Sequence, residues 1–229
     1  MSTKSSTLIF WMLTHIWTAP GLVGRLRNEI DRFAKATQPP QTFGIPEPVR
    51  LSIDIDGLAQ SCPLLKACFY ESIRLHSATT SVRSATESFE VHDTPDGPTL
   101  GRHPPSYILE AGKLVAAPLG VHHHDSRYFE HPNAFKPDRF LRLSENAGGK
   151  QIVTARALKP WGLGAAACSG RAYAEKEALA FAAGILALWD FEPADSRGWT
   201  SPKQKERSLF LVPSAELRVR VKPRPLSRS

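Results

Sequence analysis

Cysteine is scarce in this sequence, and its scarcity limits the kinds of protein the chain can be. There are three cysteines among 229 residues, at Cys62, Cys68 and Cys168. Because an odd and irregularly spaced set leaves at least one thiol unpaired, we exclude a disulfide-stapled scaffold and expect a reducing compartment. We predict that Cys62 and Cys68 are small apolar residues near a helix, which leaves Cys168 as the candidate functional thiol.

Long apolar runs and internal repeats are also missing. The apolar stretch at residues 8–17 is well below the roughly 18 residues that a membrane-spanning helix requires, and its flanks do not make a signal peptide. We therefore predict no transmembrane segment. Since the composition is 41% hydrophobic, the chain can bury a core, and we expect a single domain over residues 1–229.

Acidic residues are outnumbered by basic ones, 22 to 29, which gives a net charge of +7. A basic tail can bind nucleic acid or an anionic membrane. We favour a solvated strand edge followed by a disordered tail over about residues 223–229, and we predict no nucleic-acid partner. The basic residues crowd the end of the chain, at Arg218, Arg220, Lys222, Arg224 and Arg228.

The segment around Cys168 is the most informative part of the sequence. Trp161, Gly162 and Gly164 precede the cysteine, and Gly170 follows two residues after it. The glycines allow tight backbone turns and close approach to a ligand, and the small neighbouring residues leave room for a large flat group. An apolar helix is predicted directly afterwards, so its dipole and free N–H groups would stabilise a thiolate. This combination suits a single thiolate ligand to a haem iron.

Two upstream motifs carry charges that can pair in the interior. On a helix predicted from Pro63, Glu71 and Arg74 are three residues apart and share one face. A later segment, Pro137–Phe140, contains Arg139. A buried carboxylate needs fork-shaped donors of this kind to offset its desolvation.

The order of these motifs resembles the cytochrome P450 family of haem-thiolate monooxygenases, and the resemblance runs from about residue 9 to about residue 222. It implies that Cys168 is the axial ligand of the iron in haem b. It also implies a buried triad of Glu71, Arg74 and Arg139 beneath the cysteine loop. The residues that would shape the loop around the haem are Trp161, Gly162, Gly164 and Gly170.

The cysteine loop departs from the family pattern at two positions. Trp161 stands where phenylalanine is usual, and Ala166 stands where an arginine or histidine usually contacts a haem propionate. Because Ala166 cannot make that contact, the resemblance points to Arg83, nine residues after Arg74, as the propionate contact.

By this resemblance the chain is a haem- and iron-binding oxidoreductase that incorporates molecular oxygen into a small apolar molecule. It would receive electrons from a partner such as an NADPH-dependent reductase. Family members are considerably longer, so we expect a truncated chain without the distal wall, and we assign no catalytic residue. Longer eukaryotic relatives are anchored in the endoplasmic reticulum membrane. For this chain, which has no predicted anchor, a cytoplasmic or an unknown location is expected.

Alternative functions stay open at this point. A haem-thiolate isomerase or dehydratase would need neither a reductase nor the oxygen-activating residues, and a non-catalytic remnant would need no distal wall.

Two weaker patterns are set aside. The Gly162-x-Gly164-x-x-Ala167 pattern lacks the preceding strand of a dinucleotide site. In the triplet from His122 to His124, at most two side chains can converge, because adjacent strand residues point to opposite faces, so we predict no metal site there.

The predicted fold class is α+β, mostly helical, and corresponds to the C-terminal portion of the cytochrome P450 fold. We expect helices at residues 8–19 and 22–36, a helix starting at Pro63, and a long apolar helix at 169–188. Short strands are expected at 79–110 with a hairpin at Asp96 and Gly97, then at 113–121, with a final strand pair at 209–221.

Overall fold

The computed structural model describes residues 3–41, 45, 47–92, 106–144, 148–162, 164, 167–207 and 210–228. In this part of the chain, helices alternate with short strands, as the predicted α+β class requires. The helices are α1 (Thr3–Thr18), α2 (Leu22–Ile30), α3 (Ile55–Ser61), α4 (Pro63–His76), α5 (Leu119–His123), a 3-10 turn (Pro137–Phe140) and α6 (Arg171–Leu188).

Small sheets surround these helices, and most of their strand pairs are antiparallel. The strands are β1 (Ala34–Gln38), β2 (Arg50–Ile53), β3 (Thr80–Ser84), β4 (Phe89–His92), β5 (Ser106–Leu109), β6 (Leu114–Pro118), β7 (Leu141–Ser144), β8 (Lys150–Val153), β9 (Trp189–Pro193), β10 (Gln204–Arg207), β11 (Phe210–Pro213), β12 (Val219–Pro223) and β13 (Ser227–Arg228). The antiparallel pairs are β1–β2, β3–β6, β4–β5, β7–β8, β9–β12 and β10–β11, and β13 lies parallel to β1.

Helix α4 lies in the centre of the core. Pro63 occupies its first turn, where a missing N–H breaks no helical hydrogen bond. Leu65, Phe69 and Ile73 are buried, and the helix packs against α1, α6 and the 3-10 turn. Packing on several sides fixes the directions in which the polar residues of this helix point.

The start of α4 is capped by a side chain from another helix. The backbone N–H groups of Leu64 and Leu65 each donate to a carboxylate oxygen of Glu29, on α2, at 2.8 Å. This carboxylate satisfies amides that have no partner within the helix and complements the positive end of the helix dipole. The cap therefore fixes the position of α4 relative to α2.

The carbonyl groups at the end of α6 are bound by two arginines that are far apart in sequence. Arg27 Nε donates to the Leu186 carbonyl at 3.1 Å, and Arg224 Nη1 donates to the same oxygen at 2.9 Å. Positive charge at a helix C-terminus is favourable. The tail that was expected to be disordered from about residue 223 thus has a defined place as far as Arg228, where β13 pairs with β1.

The second helix is shorter than its apolar periodicity predicts. Leu22, Leu26 and Ile30 form the expected buried stripe, but α2 ends at Ile30. Residues 34–38 instead form β1, which pairs with β2 along its length. A distant strand partner therefore outweighs the local helical preference of this segment.

Two strand predictions also need correction. The strand expected at 113–121 ends at Pro118, and Leu119–His123 forms helix α5. The final strands do not pair with each other, because β11 pairs with β10 and β12 pairs with β9. The hairpin turn predicted at Asp96 and Gly97 lies outside the described residues, although β4 and β5 on either side of it are paired.

In the described part of the chain, no helix could cross a membrane by itself. Helices α1 and α2 meet the length and composition criteria only together, as a pair bent by 114°.

Candidate functional site

Glu71 lies at the centre of a buried ion cluster. Arg74 donates to it through two hydrogen bonds, from Nε to Oε2 at 2.8 Å and from Nη2 to Oε1 at 2.9 Å. Arg139, on the 3-10 turn, donates from Nε to Oε1 at 3.1 Å, and the Lys136 backbone N–H donates to the same oxygen at 2.9 Å. The structure thus brings together Glu71, Arg74 and Arg139 in the bidentate geometry that offsets carboxylate desolvation.

The remaining donors of Arg74 bind the chain between α5 and the 3-10 turn. Its Nη1 donates to the carbonyls of His123 and Pro132, both at 2.7 Å, and its Nη2 donates to that of Ala134 at 3.2 Å. The guanidinium also lies over the ring of Phe129, 5.2 Å from its centroid, in a cation–π contact. The cluster therefore connects helix α4 to the end of α5 and to the turn that contains Pro132 and Ala134.

The cysteine loop is closed by its own backbone. Gly162 and Gly164 have φ angles of +75° and +65°, in the left-handed region that glycine adopts without a Cβ penalty. The Cys168 N–H donates to the Trp161 carbonyl at 2.9 Å, and the Ala167 N–H donates to the Gly164 carbonyl at 3.1 Å. These two bonds fold the loop back so that Cys168 returns to the point where the loop starts.

Cys168 is the accessible thiol of the three. Its residue is exposed, whereas Cys62 and Cys68 are buried, as the sequence predicts. Burial, reinforced by the nearby Glu29 carboxylate, raises the pKa of the Cys62 thiol to about 12 and that of Cys68 well above its ordinary value. Both buried thiols are therefore kept protonated and away from any ligand.

The Cys168 sulfur lies next to the start of helix α6. Gly170 is the N-cap residue of that helix, and a Cβ built on Gly170 would lie 3.9 Å from Cys168 Sγ. Arg171 Nη1 donates to the Cys168 carbonyl at 3.1 Å. The free N–H groups and the dipole of a helix start stabilise negative charge, such as that of a thiolate.

Trp161 and Arg83 have different surroundings. The Trp161 ring is half-buried and stacks on Phe69 of α4, with 6.3 Å between ring centroids and a 27° angle, so it joins the loop to the core. Arg83 lies on β3 with its side chain exposed, and its Nη1 donates to the Val82 carbonyl at 2.7 Å. Ala166, which replaces the arginine or histidine usual at that position, lies outside the described residues.

Two structural residues near the site have no clear signal in the sequence. Glu29 caps α4 from 35 residues away, and a lone glutamate on an amphipathic helix predicts only a surface charge. Tyr70 donates to Glu175 Oε2 at 2.8 Å, and Lys66 pairs with Glu175 Oε1 at 2.7 Å, which joins α4 to α6. The helical spacing of Lys66 and Tyr70 places them on one face but does not identify their partner.

Known proteins are similar to this chain over most of its length. The family model described as Cytochrome P450 matches residues 1–221, and this chain belongs to the cytochrome P450 family. A cytochrome P450 monooxygenase of Gibberella zeae is 29% identical over 197 residues, which cover 86% of this chain and 34% of that protein. Cytochrome P450 7A1 of Sus scrofa is 28% identical over 223 residues, which cover 93% of this chain and 41% of that protein.

Solved structures have the same fold over a comparable part of their length. A crystal structure of a cytochrome P450 (CYP102L1) has a TM-score of 0.66 and 25% identity, and the match covers 96% of this chain and 42% of that chain. The predicted fold, an α+β portion of the cytochrome P450 fold, is confirmed. The chain spans only 34% and 41% of the two curated relatives named above.

The cytochrome P450 family binds haem b through its iron, and the residues at the loop fit that group. The donor is a single exposed thiol at a helix start. A Cβ built at Gly164 would meet no atom of the described residues within 4 Å, which is compatible with a flat ligand beside this glycine. Among the described residues, no group of three or more histidine, cysteine or carboxylate side chains could hold a metal ion by itself.

Proposed function

We propose that this chain forms the thiolate side of the haem site of a monooxygenase that acts on a small apolar molecule. The observation that carries this proposal is the Cys168 thiol, exposed on a loop of left-handed glycines and adjacent to the start of α6. The other two cysteines are buried, so one thiol alone is available as a ligand.

Each loop residue has a separate task in this proposal. Cys168 would ligate the iron as a thiolate, and the helix start after Gly170 would stabilise its charge. Trp161 would fix the loop against Phe69 of the core, while Gly162 and Gly164 would let the backbone pass close to the haem plane. A thiolate-ligated haem supplies the oxygen chemistry, because electron donation from sulfur favours O–O cleavage.

Arg83 would bind a haem propionate through its exposed guanidinium, a geometry suited to bidentate recognition of carboxylates. Glu71, Arg74 and Arg139 would do no chemistry. Their cluster would hold the scaffold behind the loop, since its donors bind several turns of the chain at once.

An electron-transfer partner such as an NADPH-dependent reductase is part of the proposal. Lys136, Arg156 and Arg171 are exposed, and charges of one sign on such a surface steer an acidic partner. The substrate would be a small apolar molecule, and membrane association is proposed only for longer relatives.

The absorption spectrum of the chain, produced with a haem supply, reduced and exposed to carbon monoxide, tests the proposal. We expect a strongly red-shifted Soret band in the wild type and in Cys62→Ala, a control that removes a buried thiol. The band should be lost in Cys168→Ala. Failure to take up haem, or the same spectrum in Cys168→Ala, would overturn the proposal.

Monooxygenase and isomerase chemistry are separated by a second measurement, made on the haem-loaded protein. Product formation from an apolar substrate should require both molecular oxygen and an electron donor. Turnover that continues without either would favour the isomerase or dehydratase alternative.

A further inference from the structure

His123, the last residue of α5, contacts both the ion cluster and the entry to the cysteine loop. It is completely buried. Its backbone carbonyl accepts the 2.7 Å hydrogen bond from Arg74 Nη1. Its side-chain Nε2 lies 3.2 Å from the backbone nitrogen of Lys159, which stands two residues before Trp161. One residue thus connects Arg74 to the segment where the loop begins.

The direction of the second hydrogen bond fixes the tautomer of His123. A backbone N–H can only donate, so Nε2 must be the unprotonated nitrogen and Nδ1 must carry the hydrogen. In the described part of the chain, Nδ1 has no hydrogen-bond partner although it is buried. Leaving a buried donor unpaired is costly. The ring therefore holds this tautomer because of the bond to Lys159, and not because both nitrogens are satisfied.

The ring is also kept neutral, as an acceptor must be. The pKa of His123 is lowered to about 4, mainly by burial and to a smaller extent by the neighbouring His122, His124 and Arg74. At neutral pH the Nε2 lone pair is therefore available to Lys159.

We propose that His123 is a positioning residue for Cys168. A short series of contacts carries the effect: Arg74 fixes the His123 backbone, the His123 ring fixes the Lys159 N–H, and the Trp161 carbonyl accepts the Cys168 N–H at 2.9 Å. The buried cluster thereby determines where the exposed thiol lies. The effect expected on the haem spectrum rests on the proposed function. The contact between the Lys159 N–H and His123 does not depend on haem.

A matched pair of variants isolates the acceptor atom. His123→Gln keeps an acceptor at similar reach, and His123→Met has similar length without a comparable acceptor. Both keep the backbone carbonyl that Arg74 binds. His124→Met is the control, because the His124 side chain bonds the Gly120 carbonyl within α5. If His123→Met does not fold, His123→Phe supplies a second ring without an acceptor.

Amide hydrogen exchange on the chain without haem is the first readout. We expect the Lys159 and Cys168 amides to exchange about three- to tenfold faster in His123→Met, the range expected for loss of one hydrogen bond. His123→Gln and His124→Met should resemble the wild type. Equal exchange at both amides in His123→Met and His124→Met would overturn the proposal.

The reduced carbon monoxide spectrum is the second readout. The fraction of bound haem that shows the red-shifted Soret band should be smaller in His123→Met than in the wild type. In His123→Gln this fraction should equal that of the wild type. If the wild-type chain takes up no haem, the proposed function fails, while the exchange result still decides whether His123 positions the loop. Normal spectra in His123→Met and His123→Phe would contradict the role of His123.

Discussion

The ion cluster and the cysteine loop are built in opposite ways, although both contact helix α4. Glu71 is buried and accepts hydrogen bonds from two arginines and one backbone amide. Cys168 is exposed, and the hydrogen bonds that close its loop come from backbone groups. The cluster is therefore constrained from several directions by buried contacts, whereas the thiol is exposed.

Because of this difference, substitutions in the two regions should have very different effects on the stability of the fold. Removing one partner of a buried ion cluster leaves a charge without compensation, so the cluster cannot change without cost. An exposed residue between glycines can change with little effect on the fold. We infer that the energy that defines the site is located mostly in the cluster and that the chemistry is located in the loop.

The largest effect is expected when the ion cluster and the cysteine loop are substituted separately. Glu71→Ala should lower the free energy of unfolding by about 3–5 kcal/mol, because Arg74 would remain buried without its carboxylate. Cys168→Ala should change it by about 0.5 kcal/mol or less. Urea unfolding followed by circular dichroism measures both.

Glu110→Ala is the matched control for the charge change, since Glu110 and Lys113 form an exposed pair at 3.8 Å. A loss in Glu110→Ala as large as that in Glu71→Ala would show that charge alone, and not burial, decides the result. A large loss in Cys168→Ala would contradict the division between scaffold and loop.

Acidic pH should weaken the scaffold through its buried histidines. Burial lowers the pKa of His15 and of His123 to about 4 and that of His76 to about 2, from an ordinary value of 6.5. Below about pH 6.5 the histidines of the unfolded chain bind protons, whereas those of the folded chain do not. The free energy of unfolding therefore decreases as the pH falls from 6.5 toward about 4. We expect each ring to contribute a loss of about 2 kcal/mol between about pH 7 and about pH 5.

Urea unfolding at several pH values measures this dependence, with His123→Gln as the comparison. That variant removes one of the three titrating rings, so its stability should change less steeply with pH. An identical pH dependence in the wild type and in His123→Gln would exclude His123 as a contributor. It would leave the stacked pair of His15 and His76, whose Nε2 atoms are 2.8 Å apart.

The sequence predicts the residues with short-range or family-specific patterns and misses those whose partners are distant. Glu71 and Arg74 are three residues apart on one helix, so their pairing can be predicted from spacing. The glycines before Cys168 predict the tight loop in which the structure places them. Glu29 and Arg224 could not be predicted in the same way, because each binds backbone atoms that are more than thirty residues away.

The histidine triplet illustrates why local patterns are not enough. As a strand, residues 122 to 124 would alternate between two faces, which argues only against a metal site. The structure places them at the end of a short helix, where His122 contacts the Ala157 carbonyl and His123 the Lys159 amide. At the end of α5, Arg74 donates to the His123 carbonyl, a contact that no spacing in the sequence reveals.

The smallest expected effect concerns the contact between α4, which carries the ion cluster, and α6, which follows the cysteine loop. The Tyr70 hydroxyl donates to Glu175 at 2.8 Å, and burial together with Glu175 raises the pKa of Tyr70, so the phenol stays protonated and keeps donating. Tyr70→Phe removes this bond but leaves Lys66 paired with Glu175. We expect a loss of about 1 kcal/mol in urea unfolding.

The same variant should affect the loop less than His123→Met does, because Glu175 lies one turn beyond the start of α6 and Lys66 still holds it. Tyr173→Phe, which alters an exposed phenol on the same helix, is the matched control and should behave as the wild type. If Tyr70→Phe accelerated exchange of the Cys168 amide as much as His123→Met, the loop would be positioned mainly through α6. The buried cluster would then support the fold without directing the thiol.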